Sequence, residues 1–411
     1  QMLGRAGRPG YDDVGYGWVV CDRSDADKYR TLLREGKEIE SRLAEDLDSH
    51  LNAEIALGTI SGLDDVMDWL ETTFYYVRAG TNPDEYDFEG VRDRVRDTLN
   101  SLVDRGFVET DDQLGVAATT RGRLASKYYL RMETAERFAE LGGRETIDED
   151  AVLSAIASAG EFDSASSRSS EADAVDGVLS DVDTALEGGN RKVLAILHAA
   201  VRGSMPSDLR SDAWIIQQNA LRLLAALREF ADAVAGPRAA NLVRRVEARV
   251  EHGVKREAVG LTAIEGVGEG RAESLSAGGL TTPADVVAAG ADRLTRAGLS
   301  EGVAERVLRQ AESLPNAVVE WGAFPDAVAT GENEMVEVTV RNVGGSARAG
   351  IRVTANGVEM TAKTLYLSDE TTVPVGVFGA PGEAELRYEV EVVYPELPLL
   401  PETDSRIVRV D

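Results

Sequence analysis

Residues 88–122 read FEGVRDRVRDTLNSLVDRGFVETDDQLGVAATTRG, and their pattern sets the architecture of the first half of the chain. Val91, Val95, Leu99 and Leu102 recur at helical intervals, which lays one apolar stripe along a helix, and Gly106 ends it. GFVET and LGVAATTRG then read as two short strands joined by a turn through Asp111 and Asp112. Upstream, Ser41–Leu57 has apolar residues at Leu43, Leu47, Leu51 and Ile55, with a glycine stop at Gly58. Asp64–Arg78 follows as a second helical pattern on Val66, Met67, Leu70 and Phe74. Three helices and a β-hairpin make a winged helix. Its third helix carries Arg92, Arg94 and Arg96 interleaved with Glu89, Asp93, Asp97 and Asp104. Alternating sign predicts a solvated or domain-packing helix rather than one that reads a DNA groove.

Outward from this segment the chain divides into five parts. Residues 1–35 read helix, turn, strand, with GWVVC a short buried α/β strand; one strand cannot make a sheet, so this is read as the remnant of a larger domain. Residues 36–125 are the winged helix. Residues 126–258 are nearly all helix, broken by the polar loop EFDSASSRSSEADA and by Pro237. Residues 259–314 hold two glycine-punctuated helical pairs. Residues 315–411 alternate apolar and polar positions over about seven stretches, the spacing of a β-sandwich. The expected fold class is therefore multidomain, mainly α, with a C-terminal all-β sandwich.

The composition narrows the function classes. The chain has 411 residues, 72 acidic and 44 basic, for a net charge of −28. Only six of the basic residues are lysine. An acidic, lysine-poor surface suits a cytosol of high salt, where self-repulsion is screened within roughly 3 Å at 1 M. Overall acidity then says little about nucleic acid, and local arginine clusters carry the information. The single cysteine, Cys21, cannot form an internal disulfide, which fits a reducing cytoplasm. His50, His198 and His252 are too dispersed for a His/Cys zinc site, and no apolar run is long enough to span a membrane.

Four stretches carry chemistry. Residues 1–10, QMLGRAGRPG, place Arg5 and Arg8 on one helical face beside glycines, an arrangement that can stabilise a transferring phosphoryl group. In the helix from Asp212, Leu223, Leu224 and Leu227 cover one face, and Trp214, Gln218, Arg222 and Glu229 fall near another, at spacings of four, four and seven. That face can stack and hydrogen-bond unpaired bases, or it can be a core helix with a buried tryptophan and a salt-bridged arginine. Arg245 and Arg249 lie together on the next helix, either as a phosphate-facing stripe or within an intrahelical ladder with Glu247 and Glu251. Leu261, Ile264, Leu275 and Leu280 bracket Gly266-Val267-Gly268, with Arg271 one turn on, which reads as a helix-hairpin-helix. Its exposed amides can hold a phosphate, although Glu265, Glu269 and Glu273 oppose that. No G-x-x-x-x-G-K-[ST] phosphate loop and no DExH box occurs, so this chain alone is not expected to hydrolyse ATP.

These strings resemble one family. QMLGRAGRPG is similar to the sixth conserved motif of Ski-like superfamily-2 DExH helicases, which sits on the second RecA-like domain. The resemblance implies that Gln1, Arg5 and Arg8 contact ATP, with its Mg, in an intact parent. The stretch from Asp212 to Arg222 resembles the ratchet helix that lines the single-strand channel of that family. The order of parts looks like the C-terminal half of such a helicase, similar to archaeal DNA-repair helicases as far as residue 314. The terminal sandwich is like the module that ends spliceosomal helicases and an endoplasmic-reticulum translocation factor. With the salt-adapted composition, the resemblance points to a haloarchaeal source. It implies single-stranded nucleic acid and the parent's own RecA-like core as partners, with a protein partner at the sandwich. The alternative is a non-enzymatic interaction scaffold built on the same modules.

Overall fold

In the computed structural model of the protein, the structure describes residues 7, 10, 14–36, 39–86, 89–112, 115–144 and 146–411. Residues 14–22 carry no regular structure and lie exposed. The strand expected at GWVVC is not formed. No neighbouring strand stands beside it among the described residues, and a lone strand leaves its backbone groups without ladder partners. Helix α1 (Ala26–Glu35) follows and buries none of its side chains.

The winged helix is built from α2 (Leu47–Leu57), α3 (Leu63–Glu71), α4 (Phe74–Thr81), the short α5 (Pro83–Tyr86) and α6 (Val91–Asp104), with strands β1 (Val108–Thr110) and β2 (Val116–Ala118). The single helix expected over 64–78 is two. The Thr73 hydroxyl caps α4 by accepting from the Tyr76 amide at 3.3 Å, and it donates to the last turn of α3 at Leu70 O, 2.6 Å. A Thr pair that can bond its own backbone competes with continuous helix, which is how the chain turns here. On α6 the expected stripe is buried: Val91, Val95, Leu99 and Leu102. β1 and β2 pair antiparallel, Val108 opposite Ala118.

Helix α7 (Thr120–Lys127) leaves the wing and enters a helical bundle made of α8 (Met132–Gly142), α9 (Glu149–Ala157), α10 (Ala172–Val178), α11 (Gly188–Val201), α12 (Arg210–Ala235) and α13 (Pro237–His252). The two parts are joined by packing. Asn52 Nδ2 donates to Gly122 O at 2.9 Å, and one apolar core runs without interruption from Leu47 to Val250. α12 and α13 form a hairpin about Gly236, where φ is +81° and Pro237 opens the second helix.

Beyond α13 a 3-10 segment (Arg256–Ala263) leads to α14 (Glu269–Ala277), α15 (Pro283–Arg296, broken at Gly290) and α16 (Glu301–Glu312) around a small core of Leu261, Ile264, Val267, Leu275 and Val307. The seven expected strands then appear as β3 (Ala317–Glu320), β5 (Asn333–Asn342), β6 (Ala347–Ala355), β7 (Val358–Leu367), β8 (Glu370–Phe378), β9 (Glu385–Val393) and β10 (Glu402–Val410), and a two-residue β4 (Ala327–Val328) is added. One sheet has the order β4-β10-β9-β6-β7 and the other β3-β5-β8, facing each other over Val338, Val353, Val375, Tyr388 and Val390.

The sandwich is clamped to the bundle. Buried Asn241 on α13 donates through Nδ2 to Tyr394 O (3.0 Å), Leu397 O (3.2 Å) and Leu399 O (3.0 Å). Arg348 grips Asp232 of α12 with two bonds of 2.6 and 3.0 Å. Both contacts link residues more than a hundred positions apart, so neither has a signature in local sequence.

Candidate nucleic-acid interface

α12 is the longest helix described, and its two faces differ sharply. Leu223, Leu224, Leu227 and Phe230 are fully buried on one side. On the other, Trp214 and Ile215 stand 69% and 66% exposed, and Gln218 is exposed one turn on. Burial of one face against α8 and α13 fixes which side chains look outward, because a helix presents positions four apart on the same line. A tryptophan this exposed contributes little to the fold by burial, so of the two readings open for this helix the core reading does not describe Trp214.

Arg222 completes the line. It is half-buried: Nη2 and Nε bond Asn219 Oδ1 at 2.9 and 3.3 Å, and Nη1 donates to the Tyr128 carbonyl at the end of α7. Anchored on its own helix and on α7, the guanidinium has its plane fixed, which suits stacking more than a mobile arginine would. From Trp214 to Arg222 is about 12 Å of helix, at roughly 1.5 Å per residue. Stacked nucleotides rise roughly 3.4 Å each, so the ridge spans about three or four bases. Glu229, expected on the same face and two turns further down, is committed elsewhere. It accepts from Lys127 Nζ (2.7 Å) and the Tyr128 hydroxyl (2.7 Å). Burial pushes its carboxyl up, but those two bonds outweigh it and hold it below the usual carboxylate range.

The end of α12 that carries Trp214 is anchored by a buried ion cluster. Lys192 of α11 is 1% exposed and uses all three ammonium protons, on Glu171 (2.9 Å), Asp212 (2.5 Å) and Ser166 O (3.2 Å). Glu171 is 2% exposed and also accepts from the Arg168 amide at 2.8 Å. The polar loop that interrupts the helical pattern is thus the strap that seats Asp212, two residues before Trp214.

The α13 arginines answer differently from their sequence reading. Arg249 is buried, and its guanidinium donates to Val254 O (3.0 Å), Val201 O (2.9 Å) and Glu149. All its faces are committed inside the protein, so it cannot meet a phosphate. Arg245 is half-buried with Nε on Asn241 Oδ1 at 3.1 Å, and burial disfavours its charge. Glu247 bonds Arg244 and Arg228 at 3.4 Å each, an ion-pair ladder. The stripe reading therefore gives way to packing. Sequence shows that a helix is basic, and only packing shows which arginines turn inward.

At the hairpin, Gly266 has φ +81°, a conformation that disfavours a side chain, and Gly268 precedes the first turn of α14. Arg271 folds back to donate to Gly266 O, so it braces the turn rather than reaching outward. Glu269 sits in the first turn of α14, where it competes with any incoming anion. Gln1, Arg5 and Arg8 lie outside the described residues. Among the described residues no cluster of three or more His, Cys, Asp or Glu is placed to hold a metal, and no helix is long and apolar enough to cross a membrane. Two residues escaped the sequence reading, Asn241, which clamps the sandwich to α13, and Tyr129, at the end of α7. A lone Asn on an otherwise apolar stripe was the available signal for the first, and a helix end without a glycine for the second.

Comparison with known proteins decides the family. Residues 118–397 match the Sec63 family, described as the Sec63 Brl domain, and residues 40–117 match a winged helix-turn-helix domain family, WHD_SNRNP200. The chain belongs to the Sec63 family. This Sec63 chain is 32% identical over 251 residues to the human activating signal cointegrator 1 complex subunit 3, covering 56% of the chain and 11% of that protein. It is 35% identical over 181 residues to a protein of Xenopus tropicalis described as probable ATP-dependent DNA helicase HFM1, covering 42% of the chain and 13% of the relative. The chain therefore spans little more than a tenth of the length of these relatives. A solved CARDB domain of a Pyrococcus furiosus protein aligns with 24% of the chain and 89% of its own length, at 25% identity and a TM-score of 0.21.

Proposed function

We propose that this Sec63-family chain is the nucleic-acid-guiding part of an ATP-dependent superfamily-2 helicase. The observation that carries the reading is the outward face of α12, an exposed tryptophan, an amide and a plane-locked guanidinium on a helix whose other face is fully buried. Such a row offers flat surfaces to successive bases of a single strand and asks for no sequence. The relative described as a probable ATP-dependent DNA helicase supports the class.

In this reading the parts are 1–35, a remnant of the second RecA-like domain; 36–125, the winged helix; 126–258, the ratchet domain; 259–314, the helix-hairpin-helix; and 315–411, the immunoglobulin-like sandwich. Gln1, Arg5 and Arg8 would meet ATP and its Mg in the intact parent, a role that rests on their motif. Gly266 and Gly268 would offer backbone amides to the leaving strand, and Arg271 would hold that turn in shape. The winged helix would pack on the RecA-like core, and the sandwich would offer a surface to a protein partner. The acidic, lysine-poor composition supports a high-salt cytoplasm and an archaeal source.

The test is fluorescence anisotropy of the chain with a labelled oligothymidylate. Trp214→Ala and Arg222→Ala should each weaken binding about five- to hundredfold, the range for loss of one stacking contact of roughly 1–3 kcal/mol. No binding by the parent chain at low salt would leave the scaffold function in its place.

A further inference from the structure

Among the described residues, six helices end in the same way. In each, a residue just past the helix donates its amide three residues back, and the next residue donates five residues back, which is the Schellman closure. The pairs are Gly58 N to Ile55 O with Thr59 N to Glu54 O, Gly106 N to Val103 O with Phe107 N to Leu102 O, Gly203 N to Ala200 O with Ser204 N to Ala199 O, Gly279 N to Ser276 O with Leu280 N to Leu275 O, Gly298 N to Thr295 O with Leu299 N to Leu294 O, and Tyr129 N to Ser126 O with Leu130 N to Ala125 O. The closing residue must take a positive φ, which a Cβ resists. Five of the six positions are glycine, with φ of 79°, 73°, 64°, 76° and 101°. The sixth, at the end of α7, is Tyr129 with φ +52°.

Only one other non-glycine residue among those described has a positive φ, Asn356, and Asn356-Gly357 is a tight hairpin turn where Asn is at home. Tyr129 has no such local excuse. Its ring is 87% exposed, so the fold gains almost no burial from it. Its hydroxyl makes no hydrogen bond within the described residues. The neighbour Tyr128 does the structural work instead, with its hydroxyl on Glu229 and its carbonyl on Arg222. A strained backbone that carries a large side chain into solvent points to a use outside the fold.

That carbonyl contact puts Tyr129 one peptide away from the Arg222 guanidinium. We propose that Tyr129 is a further stacking platform for a single-stranded nucleic acid, adding to the Trp214–Gln218–Arg222 ridge beside Arg222. The inference rests on the ratchet reading above and adds a contact that neither the α12 sequence nor any motif supplies. A tyrosine ring offers a π-face to any base, and this one stands in solvent beside the anchored Arg222.

Tyr129→Gly, Tyr129→Ala and Tyr129→Phe are compared with Trp214→Ala and Arg222→Ala in the full chain, using fluorescein-labelled oligothymidylate at one fixed salt concentration. Tyr129→Gly and Tyr129→Ala should weaken binding at least fivefold and Tyr129→Phe less than twofold. The melting temperature of Tyr129→Gly should equal or exceed that of the unmodified chain, because glycine relieves the strain. If the Trp214 and Arg222 variants weaken binding and the Tyr129 variants do not, the platform is refuted and the ratchet reading stands. If none of them weakens binding, both fail together. A drop in melting temperature for Tyr129→Gly would show that the ring serves the fold or a packed neighbour, and would also refute the proposal.

Discussion

Lys192→Met removes the clamp that seats the start of α12. The substitution fits the volume of a linear side chain, so the cost comes from what it abandons. Glu171 is 2% exposed and would keep its bond from the Arg168 amide and a long 3.4 Å contact from the mostly exposed Arg168 guanidinium. Breaking a buried pair in this way costs about 3 kcal/mol, the low end for such pairs, because the desolvated carboxylate is left with only that weak ionic partner. Asp212 is 34% exposed and can turn to water, so its share is small. The double variant Lys192→Met with Glu171→Gln removes the stranded charge, and should recover more than about 1 kcal/mol of the loss, since residues in contact couple by roughly that much. Urea unfolding followed by far-UV circular dichroism measures all three proteins. The pH dependence gives a second signature. Burial pushes the Glu171 carboxyl up, and the Arg168 amide and the Lys192 ammonium overcome it, leaving the pKa below the usual glutamate value. Burial likewise opposes the Lys192 charge, and Asp212 and Glu171 overcome it, leaving that pKa raised. The pair therefore stabilises above the ordinary carboxylate pKa, and its contribution is lost as pH falls through the depressed value of Glu171. It is lost at the other end as pH rises through the raised value of Lys192. A single variant within about 1 kcal/mol of the parent chain, the scale of an exposed pair, would refute the buried-clamp argument.

Two other outcomes follow from the same physics. Glu402, whose carboxylate accepts from the Ala317 amide and the Tyr394 hydroxyl, is pushed up to about 7 by burial. A raised carboxyl pKa means stability that is full at acid pH and declines as pH rises toward 7, by up to about 3 kcal/mol at roughly 1.4 kcal/mol per unit. Glu402→Gln should flatten that decline in urea midpoints taken from pH 5 to 8; an unchanged slope would contradict it. The net charge of −28 predicts that the melting temperature rises from about 0.1 to 2 M KCl as self-repulsion is screened, and a falling one would contradict the salt-adapted reading.

Much of the architecture was legible because it rests on periodicity. The stripe on α6, the Leu223, Leu224 and Leu227 face of α12, and the alternating strands of the sandwich each follow from residues within a dozen positions of one another. What was not legible depends on distant partners. GWVVC has the composition of a buried strand, but a strand needs a neighbour, and none is present among the described residues. Arg249 looks like a surface cation until Val201, Val254 and Glu149 are seen around it. Asn241 reads as filler on α13, yet three carbonyls from beyond β9 converge on it. Tyr129 is an intermediate case. SKYYL ends a helix without the glycine that closes five others in the same way among the described residues, a local irregularity that sequence shows and only the backbone angles explain.

The central claim is that a single strand runs along the outward face of α12, and cross-linking tests it most directly. A 5-iodouracil-substituted oligonucleotide, irradiated on the intact chain and mapped by mass spectrometry, should attach to peptides containing Trp214 and Tyr129. Attachment confined to the α6 helix of the winged helix or to the sandwich would contradict the account.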